Sequence, residues 1–188
     1  MGQVVIDVSV SLDGYMAAPN DVAGNGLGDD GMRLHNWMFD DPSVFDRLYG
    51  DLTNETGAVV MGRRTFDNSI PEWGGKGPLG DVPSFVLTHR PAPAGTDTVF
   101  TFVSNVESAH SQAQAAAGDK RIGVMGGRTA QQFIAAGLVD ELRIHVVNVL
   151  LGDGRRLFDV LPERIELERA GDLSETDGVV HLTYRVKR

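Results

Sequence analysis

Apolar and polar residues alternate through Val4-Val5-Ile6-Asp7-Val8-Ser9-Val10-Ser11-Leu12, with Ile6, Val8, Val10 and Leu12 on one face and Val5, Asp7, Ser9 and Ser11 on the other. A period of two built on β-branched residues predicts a strand. It stops at the turn pair Asp13-Gly14, and Pro19, Asn20, Gly24, Gly26, Gly28 and Gly31 predict a long loop beyond it. At Asp40-Asp41-Pro42-Ser43 the pattern changes. Acids and a proline at a helix start lead into Val44, Phe45, Leu48, Tyr49 and Leu52, so an amphipathic helix is predicted whose buried face is Phe45, Leu48, Tyr49 and Leu52.

Short apolar runs follow in alternation with helical patterns. Gly57–Met61 predicts a strand, Gly62–Phe66 a turn opening a helix that stops before Pro71, residues 72–83 a loop, and Ser84–Thr88 a buried strand. A further strand is expected over Thr98–Val103, a helix over the alanine-rich Asn105–Gly118, a strand over Arg121–Met125 and a helix over Thr129–Ala136. Beyond Gly137 the character turns to β, with strands over Val139–Leu151, Arg164–Leu173 and Val179–Val186, the last two separated by Ser174–Gly178 with its Asp-Gly hairpin signal. The fold class is therefore α/β, a mixed and mainly parallel sheet with antiparallel C-terminal strands. No composition shift divides the chain, and one domain is expected over residues 1–188.

Composition narrows the chemistry. Against 26 acidic residues stand 17 lysines and arginines, a net charge of −9 that repels nucleic acid. Absence of cysteine removes disulfides, thiolate metal sites and a cysteine nucleophile. No clustered His/carboxylate spacing points to a metal. No window has the roughly 18 apolar residues of a membrane span, and no basic and apolar leader opens the sequence, so a cytoplasmic protein is expected.

Three strand ends share one form: Val60-Met61-Gly62-Arg63-Arg64-Thr65, Val86-Leu87-Thr88-His89-Arg90 and Val124-Met125-Gly126-Gly127-Arg128-Thr129. Carboxyl ends of parallel strands lie along one edge of an open sheet, so these segments should converge on one crevice. Glycines there admit close approach of a ligand, and N–H groups at helix starts favour a diphosphate. Arg63, Arg64, His89, Arg90 and Arg128 add basic groups; the plain alternative is that they pair with nearby acids. Neither a P-loop nor a G-x-G-x-x-G fingerprint is present.

Ser11-Leu12-Asp13-Gly14-Tyr15-Met16-Ala17, Val60–Phe66, Phe85–Pro91, Gly126-Gly127, Ala136–Leu142 and Leu150–Gly154, in this order over nearly the whole chain, resemble the dihydrofolate-reductase-like superfamily. The resemblance is greatest to the branch containing the reductase domain of riboflavin biosynthesis. It implies a three-layer α-β-α fold holding extended NADPH along the strand ends. Carried over, Gly62, Arg63, Arg64 and Thr65 face the cofactor diphosphate. Thr88, His89 and Arg90 face the adenosine ribose and its 2′-phosphate, which favours NADPH over NADH. The paired Gly126 and Gly127 let the cofactor cross the sheet, and Arg128 and Thr129 begin the helix beneath it. For a proton source the resemblance offers two acids. Asp13 ends the first strand, where it would orient substrate, relay a proton, or serve only as a turn residue capping local N–H groups. Asp46, sixteen residues before Gly62, stands about where dihydrofolate reductases carry the acid that engages the pterin, or is simply solvated. His35 and Trp37 are candidate pocket-lining groups, and His145 a packed or interface residue.

The expected activity is NADPH-dependent hydride transfer to a C=N or C=O bond of a small heterocycle, a riboflavin-pathway pyrimidine such as 5-amino-6-(5-phosphoribosylamino)uracil or a pterin. The alternative is a non-catalytic NADPH-binding module of the same fold. Without cysteine the zinc deaminase half that accompanies the riboflavin reductase has no site here, and the first loop departs from that of dihydrofolate reductases proper. The apolar content of Val139–Leu151 exceeds what one modest core needs, so a homodimer is expected.

Overall fold

The computed structural model describes residues 2–159 and 161–187; Met1, Val160 and Arg188 of the expected domain lie outside the described residues. In chain order the elements are β1 (Val4–Ser11), β2 (Tyr15–Ala17), a 3-10 turn (Gly31–Leu34), α1 (Asn36–Phe39), α2 (Pro42–Glu55), β3 (Thr56–Gly62), α3 (Arg63–Ser69), β4 (Ser84–Leu87), β5 (Phe100–Val103), α4 (Val106–Ala117), β6 (Arg121–Met125), α5 (Gly127–Ala135), β7 (Glu141–Val147), β8 (Arg155–Arg156), β9 (Leu167–Arg169), β10 (Ser174–Thr176) and β11 (Val179–Val186). One sheet runs in the order β10-β11-β7-β1-β6-β3-β4-β5, with β9 also pairing β11. The ladders joining β7, β1, β6, β3, β4 and β5 are parallel, and those of β11 with β7, β9 and β10 are antiparallel. A separate small ribbon pairs β2 with β8.

Both faces of the sheet are covered, as continuous apolar strands require. On β3, Ala58 and Val60 join the cluster formed with Ala109, Ala113 and Ala117 of α4 and Ala130, Phe133 and Ile134 of α5. Val59 and Met61, pointing the other way, join Phe66 of α3, Val86 and Phe100. Phe66 meets the rings of Phe100 and Phe102 edge-on at 4.9 and 5.3 Å. The expected mixed sheet flanked by helices is what forms.

Local departures have physical causes. β1 ends at Ser11, and Leu12 turns out into solvent. Helix α2 starts where predicted, with Pro42 in its first turn and Asp41 accepting from Ser43 N at 2.8 Å, yet none of its residues is buried. Its apolar side forms an exposed stack instead, Phe45 lying against Phe39 at 5.1 Å and Tyr49 at 5.4 Å. The predicted Val139–Leu151 strand stops at Val147, because Val149 N donates back to the Val147 carbonyl and residues 151–152 are drawn to Asp13. Since β7 lies between β1 and β11, its Leu142, Ile144 and Val146 contribute to the core, while Leu150 of the same predicted stretch stands 68% exposed. Of the predicted 164–173 strand only Leu167–Arg169 forms. Ser174–Thr176, expected as connection, is strand β10, and Asp177 and Gly178 make the turn at φ 50° and 77°, the conformation of a type I′ hairpin. Helix α5 begins at Gly127, two residues before Thr129.

Candidate active site

The β1–β6 ladder pairs Val4 with Ile122 and Val5 with Gly123, then ends. Beyond that point the two strands part, so the edge of β1 past Val5 has no strand partner on that side. Ile6, Asp7, Val8, Val124 and Met125 wall the opening of a cleft of about 1460 Å³. Strand order reverses here, since the chain leaving β1 passes β6 to enter β3 on one side, while the chain leaving β6 passes β1 to enter β7 on the other, and open α/β sheets hold ligands at such a point. Gly62, Arg63, Arg64, Thr65, Thr88, His89, Arg90, Gly126, Gly127, Arg128 and Thr129 all line this cleft. The convergence expected of the three strand ends is met.

Two strand-to-helix turns interlock at its floor. A Cβ on Gly62 would lie 2.7 Å from Thr129 Oγ1, and one on Gly126 would lie 2.5 Å from Thr65 Oγ1. A Cβ on Gly127 would meet Met16 Sδ and the Arg156 carbonyl oxygen, each at 2.9 Å. The side on which each glycine would carry a Cβ is thus taken up by the protein itself. Neither α3 nor α5 has a side-chain cap at its first turn, and Gly126 holds φ 88°. The residues at both helix starts line the cleft, and the leading N–H groups of a helix carry the positive end of its dipole.

Most of the arginines are paired. Arg63 Nε donates to Asp67 Oδ1 at 2.7 Å, and Arg90 binds the other oxygen of the same carboxylate. Arg64 donates to Asp21 through Nε at 2.8 Å and Nη2 at 3.0 Å, and Arg155 from β8 joins the same acid. Burial of Asp21 pushes its carboxyl up, but hydrogen bonds from Arg64 and Arg155 outweigh this and hold it below the usual range. This buried acid ties the 18–31 loop to α3 and to the β2–β8 ribbon. Arg128 and His89 form no ion pair among the described residues.

The two predicted acids stand elsewhere. Asp13 is not in the cleft wall; its carboxylate accepts from Ser11 Oγ at 2.5 Å, Gly152 N at 2.8 Å and Leu151 N at 3.2 Å. The Ser11 hydrogen bond foremost holds it below the ordinary carboxylate range. It fastens the 151–152 turn by capping two backbone N–H groups. Asp46 is exposed on α2 and is not among the residues lining the cleft.

Another acid does reach the cleft. Asp7 projects from the middle of β1, and His145 Nε2 lies 2.9 Å from its Oδ1. A carboxylate only accepts, so Nε2 of His145 carries hydrogen. In neutral His145, Nδ1 then accepts from Nδ1–H of His181, 2.7 Å away. Trp37 packs on both imidazoles at 4.9 Å and donates through Nε1 to Ser9 Oγ at 3.2 Å. His35 lines the cleft beside them; its Nδ1 is buried without a hydrogen-bond partner, and burial, then the charge of His145, lowers its pKa to about 4. Of the two residues expected to line a pocket, His35 lines the cleft, whereas Trp37 is not among its lining residues and packs on the imidazoles. Asp7 and His181 did not stand out, although a lone acid inside an apolar strand was the available clue.

Comparison with known proteins bears on the family and the fold. A protein of Shewanella sp. PV-4 assigned by name to riboflavin biosynthesis has a crystal structure that superposes at TM-score 0.77 with 26% identity, each chain covered in full. RibD of Acinetobacter baumannii matches at TM-score 0.63 and 15% identity, all of this chain covering 59% of that one, which shows the shared fold. The uncharacterised protein YyaP of Bacillus subtilis (strain 168) is 24% identical over 197 residues, spanning 97% of this chain and 94% of its own. The sequence model of the RibD C-terminal domain matches residues 3–179, and the chain belongs to the RibD C-terminal domain family.

Proposed function

We propose that the protein is an NADPH-dependent reductase acting on a C=N or C=O bond of a small heterocycle, in the class of the riboflavin-pathway pyrimidine 5-amino-6-(5-phosphoribosylamino)uracil or a pterin. The observation that carries this reading is the cleft at the parting of β1 and β6, where uncapped starts of α3 and α5 meet basic residues at the end of β4. Donor N–H groups at two helix starts suit a diphosphate, the unpaired edge of β1 suits a flat amide, and Arg90 with His89 lies where a further phosphate would sit. Gly62–Thr65 and Gly126–Thr129 would hold the diphosphate, and Thr88, His89 and Arg90 the ribose with its 2′-phosphate. When bound, the nicotinamide supplies the hydride.

The chain's own share is placement and the proton. Asp7 lines the cleft and Asp13 and Asp46 do not, so in this reading Asp7, with His145 behind it, takes the proton-supplying role: a proton on His145 passes through Nε2–H to Asp7 and from there to the substrate atom that must gain one. Solvent then restores the proton to the imidazole pair. A homodimer and a cytoplasmic setting belong to the same proposal; Leu12 and Leu150, each 68% exposed, are the most exposed large apolar side chains among the described residues. Among the described residues no helix is long and apolar enough to cross a membrane, and no group of three or more His, Asp or Glu is placed to hold a metal.

NADPH oxidation in the presence of the phosphoribosylaminouracil, or of dihydropterins, tests the activity. Turnover by the wild type, with kcat about 100-fold lower in Asp7→Asn and NADPH binding kept, is the expected result. Unchanged turnover in Asp7→Asn contradicts its role, and NADPH binding without oxidation of any of these compounds favours the binding-module alternative.

A further inference from the structure

Asp67, four residues after Arg63 on α3, shares its carboxylate between two arginines of the cleft edge. Arg63 Nε donates to Oδ1 at 2.7 Å, and Arg90 Nη2 donates to Oδ2. Arg63 is fixed a second time by Nη1 donating to the Pro91 carbonyl at 2.9 Å, and its guanidinium lies over the rings of Phe66 and Phe102 at 5.8 and 5.9 Å. Its side chain is 18% exposed, against 60% for Arg90. Arg63 is therefore anchored, and Arg90 is the arm free to turn. Two guanidinium forks closing on one anion are the arrangement that binds a phosphomonoester. In this protein a carboxylate of its own occupies that place.

We infer that Asp67 is an internal anion that limits the preference for NADPH over NADH by competing with the 2′-phosphate for Arg63 and Arg90. The inference rests on the reading of this edge as the 2′-phosphate end of a cofactor cleft, and it moves Arg63 from the diphosphate, where that reading put it, to the Arg90 end, because both guanidinium groups meet at Asp67. The two arginines carry two positive charges, Asp67 cancels one, and a phosphomonoester brings about −1.5 to −2. When the phosphate arrives, Arg90 leaves Asp67 or is shared with it, and with both side chains open to screening by water and salt the carboxylate weakens binding by about tenfold. NADH has no group at that position, so its affinity does not register Asp67. The i,i+4 spacing of Arg63 and Asp67 would pass for an ordinary helix ion pair; recruitment of Arg90 from the end of β4 is what turns the acid into a stand-in for the ligand.

Asp67→Asn keeps the shape of the side chain and a carbonyl acceptor for Arg63 while removing the charge. Calorimetric titration of the full chain with NADPH, NADH and adenosine 2′,5′-bisphosphate measures the effect directly, without turnover. The variant is expected to bind NADPH and the bisphosphate about tenfold more tightly than the wild type does, with NADH changed by less than about twofold. An unchanged NADPH-to-NADH ratio, or a ratio that falls because Asp67 was orienting the arginines, overturns the inference and leaves the cofactor reading intact. Failure of both proteins to bind NADPH or the bisphosphate overturns the two together.

Discussion

The imidazole of His35 enters the cleft wall uncharged, and this has a measurable consequence. Its folded-state pKa of about 4 lies below the ordinary 6.5, so between these values the unfolded chain binds a proton that the folded chain does not. The stability contributed by neutral His35 is complete above pH 6.5 and is lost as pH falls toward 4, by up to about 3 kcal/mol. His181 shifts in the same direction, through burial first and then the neighbouring His145. Denaturant unfolding between pH 7 and pH 4.5 should therefore show falling stability, with a shallower slope in His35→Gln. Equal slopes in the two proteins would show that His35 is not held neutral by its site. A buried Nδ1 lacking a partner is a group that a bound ligand can satisfy.

Element by element, what local pattern could specify was specified, and what depended on distant chain was not. Helix α2 has its cap at Asp41 and proline in the first turn, while its apolar face finds no deep partner. Helix α4, by contrast, buries Ala109, Ala113 and Ala117. Amide exchange should accordingly be faster through α2 than through α4, and Asp41→Ala, removing a cap worth about 1 kcal/mol, should speed exchange in α2 with little change in melting temperature. Protection of α2 equal to that of α4 would contradict this. The strand Val179–Val186 was legible to the residue because its apolar alternation is self-contained. The end of β7 was not, since the bonds that bend residues 151–152 come from Asp13, 138 and 139 positions away. Asp7, His145 and His181 likewise meet only through the lateral order of β1, β7 and β11. The strand-end motifs, by comparison, carried their glycines, arginines and threonines in consecutive positions, and all of them line the cleft.

For the whole molecule, a charge of −9 makes the basic edge conspicuous, but most of that edge is already answered from within. Asp21 takes up Arg64 and Arg155, and Asp67 takes up Arg63 and Arg90. Pairing with acids, the plain reading of those arginines, is thus realised for these four, with a buried acid between Arg64 and Arg155 and a half-exposed one between Arg63 and Arg90; a role toward phosphate is what the proposal adds. The central claim is that the cleft between β1 and β6 is a cofactor site. The most direct test is thermal unfolding of the purified chain with NADPH and with NADH. Saturation at about 100 times Kd adds about 2.7 kcal/mol to a folded state that alone binds the ligand, which for a domain of this size raises the melting temperature by roughly 5–10 °C. We predict a rise of that order with NADPH and a smaller one with NADH at the same concentration; no rise with either at millimolar concentration would contradict the account.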